Sequence, residues 1–138
     1  MFAWLRLTAA ATFTANGAFT VLDSTTTGVT QNGQDTITSY IEHGEFTGDL
    51  TGSYTLQGTN TVHPDKTGTG SGIITCTVKG KSGTLRQSTS YTIAADGSFQ
   101  GQVFDFQGTG DLASLQGQGT FQGKGNNGTF SDQLHFDG

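Results

Sequence analysis

The chain has one cysteine, one proline and few charges: only 12 % of its 138 residues are Asp, Glu, Lys or Arg. A lone Cys76 excludes an intramolecular disulfide and any CxxC metal or redox site. Its neighbours Ile73, Ile74 and Val78 mark a buried, inert thiol; a reactive one would need an electropositive setting, and only Lys79 and Lys81 stand near in sequence. Proline removes a ladder donor, so a single Pro64 suits a chain made almost wholly of paired strands. The six basic residues, Arg6, Lys66, Lys79, Lys81, Arg86 and Lys124, are scattered against eleven acidic ones, for a net charge of −5. A phosphate-tracking surface needs a basic stripe, so neither nucleic acid nor an anionic membrane is expected as a partner. No apolar run is long enough for a membrane-spanning helix. The opening "MFAWLRLTAAA" has a short apolar run interrupted by Arg6, unlike a secretory leader, and reads as a docked first strand. That favours a cytoplasmic location.

Helical periodicity is also missing, and alternation takes its place. "TITSYIEHGEF" sets Ile37 and Ile41 on one face against Thr38 and Glu42. "GIITCTV" groups Ile74, Cys76 and Val78. "TLRQSTSYTI" groups Leu85, Tyr91 and Ile93 against Arg86, Ser88 and Ser90. "TFSDQLHF" groups Phe130, Leu134 and Phe136 against Ser131, Gln133 and His135. These are half-buried antiparallel strands. Turn signals separate them at Asn16-Gly17, Asn32-Gly33, Gly48-Asp49, His63-Pro64-Asp65, 79–83, Asp96-Gly97, Gly110-Asp111 and 126–128. The pattern predicts eight strands, near 9–22, 35–46, 51–62, 70–79, 84–95, 98–107, 117–123 and 128–136. The expected fold is all-β: residues 1–138 as a single eight-stranded antiparallel meander β-barrel.

Glycine is abundant, at 22 residues, and Phe supplies 10 of the aromatics. Gly117, Gly119 and Gly123 share one parity in a predicted strand, with Phe121 on the same side. Glycine inside a strand marks a bend or a close approach, as a tightly curved wall requires. "FTGDLTGSYTLQG" (46–58) and "QGTGDLASLQGQGTFQG" (107–123) echo each other through Thr-Gly-Asp-Leu. They read as two similar strand connections whose leucine folds back to plug an end.

Three stretches resemble a known family. "FQGQVFDFQGTGDLASLQGQGTF" (99–121) carries its Gly-Thr-Gly-Asp-Leu-x-x-Leu-x-Gly block, "VKGKSGTLRQSTS" (78–90) looks like its preceding hairpin, and "EFTGDLTGSYT" (45–55) like an earlier one. The family is a set of uncharacterised bacterial small barrels similar in fold to allene oxide cyclase and dirigent proteins. The resemblance implies an eight-stranded barrel with a central cavity, in a group where several relatives guide cyclisation of a reactive apolar substrate. The Gln-His pair and the Glu often carried by members are replaced here by Gln87-Ser88 and by Thr75 or Thr77.

His43 and Glu45 share parity with Ile37 and Ile41, which would turn an imidazole and a carboxylate into the barrel near its rim, unless Gly44 is a bulge. Such a pair suits proton transfer and is the candidate catalytic pair; the plainer reading is a solvated strand end. Tyr54, Cys76, Tyr91 and Phe99 are the candidate ligand-facing residues. A buried tyrosine otherwise satisfies its hydroxyl structurally. Asp132 lies on the apolar face with Phe130 and Leu134; buried there it would have a raised pKa, and partial exposure at a strand end is the expectation. The side taken by Asp105, between Phe104 and Phe106, is open. No metal is expected: three convergent ligands are needed, and nothing brings His63 or His135 to His43 and Glu45.

The expected function is a small-molecule barrel that binds an apolar ligand in a central cavity. If it is catalytic, the class is a cofactor-free cyclase or isomerase that guides ring closure by shape. The alternative is a non-catalytic structural or interaction module with a filled barrel. Association into a homodimer or homotrimer through one wall is also expected.

Overall fold

The computed structural model describes residues 12–137, and of Asp105 the backbone alone. The opening segment expected to be a docked first strand, up to residue 11, and the face taken by Asp105 therefore lie outside what is described. Eight strands follow one another: β1 Phe13–Asn32, β2 Asp35–Gly48, β3 Gly52–Val62, β4 Thr67–Val78, β5 Lys81–Ile93, β6 Ser98–Gly108, β7 Leu115–Lys124 and β8 Asn127–Phe136. Each pairs antiparallel with the next, and β8 pairs with β1, so the sheet closes into a meander barrel as the alternation predicts.

The closure is staggered. From Thr30, the paired residues run through Ile37, Thr61, Thr69, Ser90, Gln102, Thr120 and Ser131 and return to β1 at Asn16, far down the same strand. Such shear tilts the strands and sets the barrel's width. It also leaves the upper half of β1 without β8 as a neighbour, because β8 pairs only as far as Thr20. The β1–β2 hairpin therefore overhangs one rim, with Leu22 and Val29 exposed and register shifts between Val21 and Asp23 and between Thr26 and Gly28. The predicted turn at Asn16-Gly17 does not occur. Gly17 faces Phe130 on β8 and Gly48 on β2 in mid-strand, while Asn16 exchanges two hydrogen bonds with Asp49 (2.8 and 2.9 Å).

Turn chemistry sets the hairpin ends. Lys79 and Gly80 both take positive φ (52° and 76°), the two-residue turn that matches strand twist, so "KGKSG" is a turn only at its start. At the overhanging rim, Asp65 and Asp96 each accept a hydrogen bond from the backbone N–H two residues on (3.0 and 2.9 Å) and from that residue's hydroxyl, Thr67 or Ser98.

The opposite rim is plugged. The echoed Thr-Gly-Asp-Leu stretches form the β2–β3 and β6–β7 connections, with Gly48 and Gly110 at positive φ and Leu50 and Leu112 buried, Leu112 within a 3-10 turn over Gly110–Leu112. Leu115, Val78 and Leu134 complete the plug. Phe13 and Phe136 stack across the β1–β8 pair, and the ammonium groups of Lys79 and Lys81 sit over their rings at 4.7 and 4.6 Å.

Within the wall, seven glycines answer to aromatic partners. Gly17 is paired with Phe130, Gly44 with Tyr54, Gly58 with Tyr40, Gly68 with Tyr91, Gly101 with Phe121, Gly123 with Phe99 and Gly128 with Phe19. At each, a Cβ would run into the partner's ring. The ring lies across its neighbour's bare backbone, so two adjacent strands are covered by one large side chain. This cross-strand pairing explains a chain rich in both glycine and Phe.

Candidate functional site

Above the plug the wall encloses a cavity of about 490 Å³ that reaches up to the turns at Gly97 and Gly125. A filled interior is therefore not what the sequence folds into. Aromatic rings line the cavity in two groups. Phe46 stacks on Tyr54 with centroids 4.4 Å apart and meets Phe130 edge-on at 5.6 Å. Phe99 lies between Phe19 (6.4 Å) and Phe121 (6.1 Å). The four residues expected to face a ligand, Tyr54, Cys76, Tyr91 and Phe99, all line this cavity. Burial pushes the Cys76 thiol up to about 11, so it is protonated at neutral pH.

His43 and Glu45 do not reach the cavity. Both are exposed, and the residues of β2 that line the interior are Tyr40, Glu42 and Phe46. The strand stays in register with β3 through Gly44, so Gly44 is not a bulge, and the register shift at this level lies in β1, between Val21 and Asp23. The phase of β2 is the reverse of the expected one. Ile37 and Ile41 lie on the outer face beside Thr30, Thr61 and Thr25, where β-branched neighbours half-cover them, and the aromatic residues take the inside. His43 Nδ1 instead meets Asp23 Oδ1 at 2.7 Å in solvent. The other two histidines behave alike: His63 pairs with Asp35 at 2.8 Å and His135 with Asp137 at 3.2 Å. Among the described residues, no group of three or more His, Cys, Asp or Glu converges.

Two carboxyl groups face the cavity in their place. Glu42 Oε2 accepts a hydrogen bond from the Tyr54 hydroxyl (2.9 Å). Burial raises the Glu42 pKa, and the Tyr54 bond draws it back in part. Burial, then the charge of Glu42, raises both Tyr54 and Tyr40, the latter to about 12, so both hydroxyls remain donors. The second carboxyl, Asp132, corrects the expectation of an exposed strand end: it is 8 % exposed. Its register partners are Ala15 on β1 and Gly119 on β7, and a Cβ on Gly119 would run into the carboxylate. Small neighbours thus clear a niche for it. No described group hydrogen-bonds or salt-bridges to it, and burial alone pushes its pKa up to about 7. Among the described residues, no lysine, arginine or histidine lines the cavity. Tyr40 and Glu42 escaped the sequence reading because two isoleucines outweighed the alternation Tyr40, Glu42, Gly44, Phe46, whose signal was a glycine in phase with aromatics.

A wider trough of about 800 Å³ lies outside the wall over β4–β8, where Thr69, Ser90, Gln102, Thr120 and Ser131 form one cross-strand row. Among the described residues, no carboxylate, lysine or arginine lines it.

No protein-family profile and no curated protein matches the chain in sequence. In three dimensions it is similar to the crystal structure of a protein of unknown function from the DUF3224 family of Shewanella oneidensis MR-1. The TM-score is 0.64 at 14 % identity, over 93 % of this chain and all of that one. The likeness is one of fold.

Proposed function

We propose that the barrel binds a small, largely apolar molecule in its central cavity. The observation that carries this reading is a cavity of about 490 Å³ that is walled by aromatic side chains and holds a few inward polar groups. That combination of an apolar body and sparse orienting groups is what ligand pockets share. Cofactor-free cyclisation or isomerisation in the same space is a second reading. It is favoured by Asp132, whose pKa near neutrality suits a proton donor or acceptor, beside a wall able to hold one conformer.

Two measurements test the binding reading. Native mass spectrometry of freshly purified protein is expected to show a co-purifying small molecule. Nile red, a neutral dye, is expected to brighten and shift to the blue with the wild type. Thr89→Trp, which places an indole in the cavity, is expected to abolish that response. A bare mass together with a dye response indifferent to Thr89→Trp would end the proposal.

A further inference from the structure

From the way the cavity's charge is distributed, we infer that its ligand carries a positive charge: an apolar or aromatic molecule bearing one protonated amine, held by Asp132. The inference rests on the cavity-binding reading above and adds the ligand's chemical class to it.

Asp132 is more than nine-tenths buried and lines the cavity without a partner among the described residues. A carboxylate largely withdrawn from water is unfavourable unless it is paired, and among the described residues the lining supplies no cation to pair it. Its position is built, since Ala15 and Gly119 flank it and Gly119 has no room for a side chain. An unpaired acid in a shaped niche is half of an ion pair, and the missing half is an ammonium delivered by the ligand.

The surroundings agree with a cation. Phe130, two residues from Asp132 on the same inward face, lines the cavity with the stacked Phe46–Tyr54 pair against it, and an aromatic wall suits a cation. Glu42 contributes a second negative group, with one oxygen engaged by Tyr54. The neutral donors of the lining include the Tyr40 and Tyr54 hydroxyls, which burial and Glu42 keep protonated, and the side chains of Asn60, Gln87 and Thr89. Among the described residues, an anionic ligand would meet two carboxyl groups and no basic side chain. The chain's net charge of −5 further favours the approach of cations.

The test compares three ligands with one apolar body: 1-naphthylmethylamine, 1-naphthalenemethanol and 1-naphthaleneacetate. Their binding is measured by calorimetry at pH 8 on the whole protein. The amine is expected to bind roughly tenfold or more tighter than the alcohol, as a charge-assisted contact implies, and the acid weakest. Asp132→Asn is expected to remove the amine's advantage over the alcohol, with circular dichroism showing that the variant barrel is folded. Glu42→Gln is expected to narrow the advantage less. If the alcohol or the acid binds as well as the amine, or if Asp132→Asn leaves the ranking intact, the inference falls while the cavity reading stands. If none of the three binds and Nile red does not either, both fall together.

Discussion

Asp132 has no counterpart in the ordinary logic of a strand, where inward positions are apolar. Its carboxyl titrates near 3.8 in an unfolded chain and near 7 in the barrel. Folding therefore favours the protonated form. Stability is full below about pH 4, declines as the pH rises toward 7, and is level above that. Asp132→Asn removes this titration. In urea unfolding at a series of pH values, the variant is expected to gain on the wild type across that window by on the order of 4 kcal/mol. Parallel curves for the two proteins from pH 4 to 8 would show that the carboxyl is not held out of water. The glycines are equally particular. Gly123→Ala meets the ring of Phe99 and the backbone of Asn127, so a loss of about 1–3 kcal/mol is predicted from overpacking. The loss should shrink in a Phe99→Leu background. Gly80→Ala meets nothing but carries a positive φ of 76°, and its loss, about 1–2 kcal/mol, should not depend on Phe99.

Among the elements, the two Thr-Gly-Asp-Leu connections were legible before any coordinates, because Gly-Asp is turn chemistry and a leucine beside it has to go somewhere. Leu112 is fully buried and Leu50 nearly so. Leu112→Ala is predicted to cost about 2–5 kcal/mol, and Leu50→Ala less, in equilibrium unfolding. Most strand positions were readable for the same local reasons, since Thr-rich alternation and Asp/Gly turns act within a few residues of one another. Two features were not. The long β1 hid behind Asn16-Gly17, whose turn preference is overridden by pairing with β8, β2 and Asp49. The face of β2 depends on what lies across the barrel, and Ile37 and Ile41 gave the wrong local cue. The site suffered most from this, because Tyr40 and Glu42 enter only with the correct phase. The glycine–aromatic pairs were invisible for a related reason, since register couples positions far apart in sequence.

For the molecule as a whole, a closed wall has consequences that no single strand carries. The overhanging part of β1 is the exception, since it pairs on one side only from Leu22 onward, beyond the bond from Val21 N–H to Asn126 O (2.7 Å). Its amides without a β2 partner are predicted to exchange with solvent first, ahead of every strand paired on both sides, in a hydrogen-exchange time course. Cys76, buried in the barrel and raised to about 11, serves as a reporter of opening. Its reaction with a thiol reagent is expected to be slow in the folded state, to follow denaturant, and to slow further when a ligand fills the cavity. A thiol that reacts at the rate of a free cysteine would contradict a sealed wall. The glycine–aromatic pairing leaves one more possibility. Because each ring spans two neighbouring strands, its owner and its bare partner are interchangeable in bulk: trading Gly101 with Phe121 keeps the composition and the filled volume while moving a ring one strand sideways. A lineage, or an engineer, could thus redraw the shape of the hollow by such exchanges without altering how much matter the cylinder holds.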